Sequence, residues 1–192
     1  MTRKTNKQRI ADAAIACFNQ FGPQRTSMSD IAEQAGVARI TLYRAFADRP
    51  ALLEFILSRI VQELSQGLKE KILAFDSLEE ALVEGSILSL QAARENTLFE
   101  SIVKQDTEHS VDRFLFRSND EVRGMMLEVW GEVFDKARSQ DQLRRDLDNA
   151  RLMDLMISVH SLLFVRDDYS DQQRRQFLID FLIPAMTGRA PA

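Results

Sequence analysis

The sequence predicts an all-α protein in which a tri-helical N-terminal head precedes a larger helical body. Glycines (7) and prolines (4) are few among 192 residues, β-branched alternation is nearly absent, and apolar residues recur at spacings of three and four throughout. A chain of this length buries a real core without disulfides or metals, and its hydrophobic (45%) and charged (28%) shares exclude the disordered and collagen-like classes. The division is expected between residues 1–50 and residues 51–192.

The first helix is expected over about residues 6–21, where Ile10, Ala13, Ala14, Cys17, Phe18 and Phe21 make one apolar stripe. Gly22 and Pro23 stop it. Thr26 and Ser27 offer N-cap oxygens to a short second helix whose Met28, Ile31, Ala32 and Ala35 face inward, and Gly36 supplies the turn after it. A third helix spans about residues 39–46, anchored by Leu42 and Phe46 four apart. Asp48 caps a long fourth helix, which tolerates Pro50 in its first turn and carries Leu53, Ile56, Ile60, Leu64, Leu68 and Ile72 on one stripe.

Further helices are expected at about 78–95, 97–106, 119–139, 148–166 and 171–187. In the last two, LMDLMISVHSLLFV and FLIDFLIPAM are apolar on more than one face and need burial on more than one side. Self-association through Leu155, Val159, Leu162, Leu178, Phe181 and Leu182 supplies that burial.

The formal net charge of -4 hides a strong asymmetry. Residues 1–50 hold eight Arg and Lys against four Asp and Glu, so a basic head (+4) precedes an acidic body (-8). That is the footprint of a nucleic-acid module joined to a regulatory one. Cys17 is the only cysteine and falls in the buried stripe of the first helix, which favours packing over redox chemistry. The first residues hold no apolar run resembling a signal peptide, and even FLIDFLIPAM is interrupted by Asp180 and Pro184, so a cytoplasmic protein with no membrane partner is expected.

Two short helices joined at Gly36 after a bracing first helix form a helix-turn-helix. From Thr26 to Leu53 the sequence TSMSDIAEQAGVARITLYRAFADRPALL closely resembles the DNA-binding region of the TetR family of bacterial transcriptional regulators. The shared parts are TS.SDIA..AGV, then TLY..F, then the (K/R)..LL that opens the fourth helix. The likeness covers roughly residues 6–60; beyond them only the helical layout is similar. It implies a homodimeric regulator, usually a repressor, that leaves its palindromic double-stranded DNA operator when a small molecule binds the body, in the bacterial cytoplasm at the nucleoid.

With Leu42 and Phe46 inward, the third helix presents Arg39, Ile40, Thr41, Tyr43 and Arg44 outward. Arginine makes bidentate bonds to guanine O6 and N7, and Arg39, near the helix N-terminus, is the foremost base reader. Ile40 either meets a thymine methyl or packs against the second helix, and Arg44 reaches either a base or a phosphate. The resemblance implies phosphate contacts at Thr26, Thr41, Tyr43 and Arg49. Ala45 departs from the family, which commonly places Tyr or His there to touch the backbone. Arg3, Lys4 and Lys7 either trail into the minor groove or float.

In the body Phe114, Phe116, Met125, Met153 and Phe164 accompany the expected effector-pocket set of Phe99, Met126, Trp130, Phe134, Met156 and His160. Aromatic and methionine side chains suit an apolar or aromatic effector, but at helical spacing the same residues also make plain core. His160 either fixes one polar group of the effector or is a satisfied core histidine. Arg94, Glu95, His109 and Glu128 have no metal-ligand spacing. No P-loop, Rossmann glycine pattern, HExxH or nucleophile with a base occurs, so neither an enzyme nor a cofactor is expected.

Overall fold

The structure is a computed structural model that describes residues 5–105 and 120–188; Arg3, Lys4, His109, Phe114 and Phe116 lie outside these residues. Among the described residues every regular element is helical: α1 (Asn6–Phe21), α2 (Met28–Gln34), α3 (Arg39–Ala45), α4 (Arg49–Leu73), α5 (Leu78–Glu95), α6 (Thr97–Gln105), α7 (Asp120–Ser139), α8 (Asn149–Val165), α9 (Asp171–Phe177), a π-helical turn (Leu178–Leu182) and α10 (Ile183–Thr187). They form two compact units. The head takes the described residues up to Ile60 together with α6, and the body takes Val61–Glu95 with the described residues from α7 onward.

Local chemistry fixes the head's helix ends. Thr5 and Gln8 form a capping box at the start of α1, and Gly22, at φ 83°, ends it in a conformation that L side chains rarely adopt. Ser27 rather than Thr26 caps α2, in a second capping box with Asp30, and Gly36 turns at φ 63° toward α3. The Asp48 carboxylate accepts the Ala51 amide at 2.8 Å and so satisfies one free donor of α4. Ile10, Ala14 and Phe18 of α1, Ile31 of α2, Leu42 of α3, Leu52, Ile56 and Leu57 of α4, and Phe99 and Ile102 of α6 are all buried. Asp12 and Arg59 add an ion pair at 2.8 Å.

In the body, α5 packs against α7, α8, α9 and the π turn, and α7 packs against α8. Close approach to Trp130 of α7 requires Gly85: a Cβ at that position would stand 2.7 Å from the indole Cη2. The C-terminal segment departs from the single helix expected over 171–187. Pro184 has no N–H to give the Asp180 carbonyl, and the chain widens into a π turn in which the Ile183 amide reaches back to the Leu178 carbonyl. Gly188, at φ 71°, terminates α10.

Candidate nucleic-acid interface

The turn between α2 and α3 is tight. The Val37 amide donates to the Ala32 carbonyl and the Gly36 amide to the Glu33 carbonyl, both at 3.0 Å. On α3, Leu42 is fully buried, and Phe46, just past its end, is 3% exposed and stacks at a tilt on Phe55 with centroids 5.4 Å apart. These two anchors fix the rotation of α3. Arg39, Ile40, Tyr43 and Arg44 are left exposed and Thr41 half-buried. Ile40 is 63% exposed, so it does not pack against α2 and remains the apolar member of the outward face. Among the described residues neither Arg39 nor Arg44 has a protein partner for its guanidinium. Ala45 is half-buried and offers a methyl group, with no donor.

Three other basic groups of the head, Arg9, Lys7 and Arg49, are turned to the chain itself, whereas Arg25 is exposed. Arg9 donates to the Ala35 carbonyl at the end of α2 at 3.3 Å, and Lys7 lies over the Phe46 ring, 5.7 Å from its centroid. Arg49 donates to the Pro23 carbonyl at 2.5 Å and to the Thr26 carbonyl at 2.8 Å, with its guanidinium 5.5 Å from the Phe18 centroid. Thr26 is only 3% exposed, and its hydroxyl proton goes to the Gly22 carbonyl at 2.9 Å. Nothing in the hydrophobic periodicity distinguishes these bracing cations from Arg39 and Arg44; only the position of acceptors in the fold does.

The body receives Met126, Trp130, Phe134, Met156 and His160 on α7 and α8, whereas Phe99 belongs to the head. That corrects the expected pocket set, because the stripe of Phe99 and Ile102 is buried in the unit where α6 packs on α1. Trp130 is 1% exposed and Phe134 and Met156 are fully buried; the Trp130 and Phe134 centroids lie 6.4 Å apart. A cavity of about 40 Å³ in the body is lined by Ile72, Leu78, Ala81, Val133 and Lys136 among others, and by none of the expected pocket residues.

The half-buried His160 places Nε2 2.8 Å from the Ser86 hydroxyl oxygen. Ser86 gives its own proton to the Leu82 carbonyl, so Nε2 carries the hydrogen in this pair and Nδ1 is an acceptor. Burial pushes the imidazole down to about 4, which keeps it neutral near pH 7. Burial likewise pushes the Cys17 thiol up, away from thiolate chemistry. Among the described residues no cluster of three or more His, Cys, Asp and Glu is placed to hold a metal, and no helix is long and apolar enough to cross a membrane.

The expected self-association face needs a second correction. Leu178 and Leu182 are fully buried within the single chain and cannot meet a partner. Leu155 and Val159 are half-buried, Leu162 is 40% exposed and Phe181 60% exposed. Val165 and Ile179 are also exposed and were not picked out by the sequence pattern.

A bracing first helix, a helix-turn-helix with exposed arginines on its outward face and an all-helical body make the layout seen in helix-turn-helix transcriptional regulators. Residues 10–56 match the family model for bacterial regulatory proteins of the tetR family. An uncharacterized HTH-type transcriptional regulator of Mycobacterium tuberculosis is 35% identical over 88 residues, covering 46% of this chain and 44% of that protein. The chain thus spans less than half the length of this curated relative. The R. erythropolis transcriptional repressor QsdR superposes with a TM-score of 0.73 at 17% identity, over 97% of this chain and 96% of its own. The TetR family repressor AlkX from Dietzia sp., implicated in biodegradation of n-alkanes, superposes with a TM-score of 0.66 at 19% identity over 96% of each chain. Over residues 10–56 the chain is thus similar to bacterial regulatory proteins of the tetR family, and its fold is shared with solved regulators of that family.

Proposed function

We propose that the protein is a homodimeric repressor that binds a palindromic operator through α3 and leaves it when a small, largely apolar effector binds the body. One observation carries the reading: Arg39 and Arg44 stand exposed and, among the described residues, without protein partners, beside exposed Ile40 and Tyr43, on a helix whose rotation Leu42 and Phe46 fix. Arg39 reads a guanine edge, Ile40 meets a thymine methyl, and the hydroxyls of Thr41 and Tyr43 hold phosphate and set register. Arg44 adds a base or phosphate contact. The two heads of the dimer take successive major-groove faces, and the effector selects a body conformation that spaces them wrongly.

Support for an apolar effector comes from the aromatic and methionine side chains of α7 and α8. Support for the dimer comes from Leu162, Val165, Ile179 and Phe181, exposed apolar groups on α8 and the π turn.

Selection of DNA fragments at two salt concentrations, followed by single-base variants of the recovered half-site, tests the reading. Arg39→Ala should relax one position of each half-site by about 1–3 kcal/mol, whereas Tyr43→Phe should weaken all sequences alike. Binding that shows neither fragment preference nor salt dependence would sink the repressor. For assembly, Phe181→Glu should yield monomers by light scattering, and an unchanged dimer would remove this face from the interface. Leu182→Glu is no substitute, because that side chain is core.

A further inference from the structure

We infer that Arg49 serves DNA binding as a positioning residue: it holds the turn that aims α2 and α3, and it does not neutralise a phosphate. The inference rests on the DNA-binding reading above and changes the role of one residue in it. Arg49 opens α4, where the positive end of the helix dipole disfavours a cation unless acceptors offset it. Its acceptors are two carbonyls of the turn between α1 and α2, Pro23 at 2.5 Å and Thr26 at 2.8 Å, one for each terminal nitrogen of the planar fork. The Phe18 ring, buried on α1, stacks beside the same guanidinium at 5.5 Å. Three segments, α1, the turn and α4, therefore converge on one side chain.

The turn so held runs directly into Ser27, the cap of α2, and the Thr26 hydroxyl closes it by donating to the Gly22 carbonyl at 2.9 Å. Thr26 has one hydroxyl proton, already spent and 3% exposed, so it has no hydroxyl donor to offer a phosphate. Two of the four residues that the resemblance places on phosphate, Thr26 and Arg49, thus face inward to carbonyls. Loss of the fork frees the segment that fixes where α2 starts, and the aim of α3 loosens with it.

Salt titration separates the two roles, because each neutralised phosphate contributes about 0.9 to the slope of log affinity against log salt. Arg49→Lys keeps the charge but cannot present two coplanar donors, and Arg49→Gln removes the charge. Both variants should lose about tenfold in operator affinity with the slope of the parent retained. A phosphate contact predicts otherwise: near-parental binding for Arg49→Lys and a slope reduced by about one for Arg49→Gln. That result overturns the inference.

Amide exchange supplies the readout that general destabilisation would not reproduce. In both variants exchange across residues 22–31 should quicken about tenfold while α5 keeps its protection. Unchanged exchange in that segment, or equal quickening in α5, would overturn the positioning role. A parent chain without salt-dependent, sequence-selective binding would instead overturn the DNA-binding reading and this inference with it.

Discussion

The arginines of the body and of α3 have the same chemistry and opposite uses. In the body, Arg94 donates to the carbonyls of Leu163, Phe164 and Arg166 at the end of α8, Arg174 donates to the Arg166 carbonyl and pairs with Asp171, and Arg175 grips Glu84 with two bonds. Arg138 reaches the Leu147 carbonyl and Arg144 the Ala185 carbonyl. Arg175 ties two helices together, and the others close a helix end or a connection. On α3, Arg39 and Arg44 meet no acceptor among the described residues. The contrast teaches that net charge is a poor guide to a binding face, and that donors left unspent by the fold are a better one. It also assigns effects: body substitutions should change stability and spare recognition, whereas α3 substitutions should do the reverse.

The largest expected effect is at Trp130. Its indole is 1% exposed and fits over Gly85, so Trp130→Ala should lower unfolding free energy by about 3–5 kcal/mol in urea titration. The half-site preference of the protein that remains folded should be unchanged. A shifted preference would break the division of labour between the two regions.

Acid sensitivity comes next, again in the body. His160 is held near 4 in the fold against an unfolded value of about 6.5, so the unfolded chain takes up the proton first. Its contribution to stability is complete above the unfolded value and is lost as pH falls from there through the folded one. Relative to His160→Gln, whose amide can still donate to Ser86, the parent should lose stability as urea midpoints are taken at successively lower pH in that window. A difference constant across the window would show that the imidazole is not kept neutral by the fold.

Periodicity made the helices legible because each buries a stripe: α1 and α5 fall where the apolar spacing places them, and Gly22 ends α1 as expected. The same logic identified Leu42 and Phe46, and by subtraction the outward face of α3. Pairings distant in sequence were not legible. The partners of Arg49 lie 23 and 26 residues away, and the acceptors of Arg94 about 70, so no local pattern encodes them. The C-terminal segment was misread for another reason. A stripe cannot reveal a π turn, which rotates Leu178 and Leu182 into the core while leaving Phe181 out.

On α3 the expected effects are smaller in stability and visible in binding. Arg44→Ala should cost about 1–3 kcal/mol of operator affinity and leave the melting midpoint where it was. A midpoint shift of several degrees would mean that Arg44 has a structural partner after all. Ser27→Ala crosses the division on purpose, since Ser27 lies in the head but accepts the Asp30 amide as a cap. It should cost about 1 kcal/mol of stability and weaken all DNA sequences alike. Loss confined to one base position would instead make Ser27 a reader.

The smallest expected effect separates braces from ornaments among the body's own charges. Lys69 and Glu132 approach to 2.7 Å, yet their side chains stay 37% and 61% accessible to water, and they are joined by a single bond. Water and salt screen such a pair, and ordering two long side chains offsets most of what the attraction provides. A double-mutant cycle with Lys69→Met and Glu132→Gln should give a coupling of about 0.2–1 kcal/mol at low salt that vanishes near 1 M. The Glu84 and Arg175 pair differs in geometry, with two parallel bonds at 2.8 and 2.9 Å and the Glu84 carboxyl held below its usual range mainly by that contact. Its cycle, run alongside, should show the larger coupling and the weaker salt dependence. Equal couplings would mean that the fork adds nothing beyond charge, and the role given to Arg49 would lose its chemical basis along with that of Arg175.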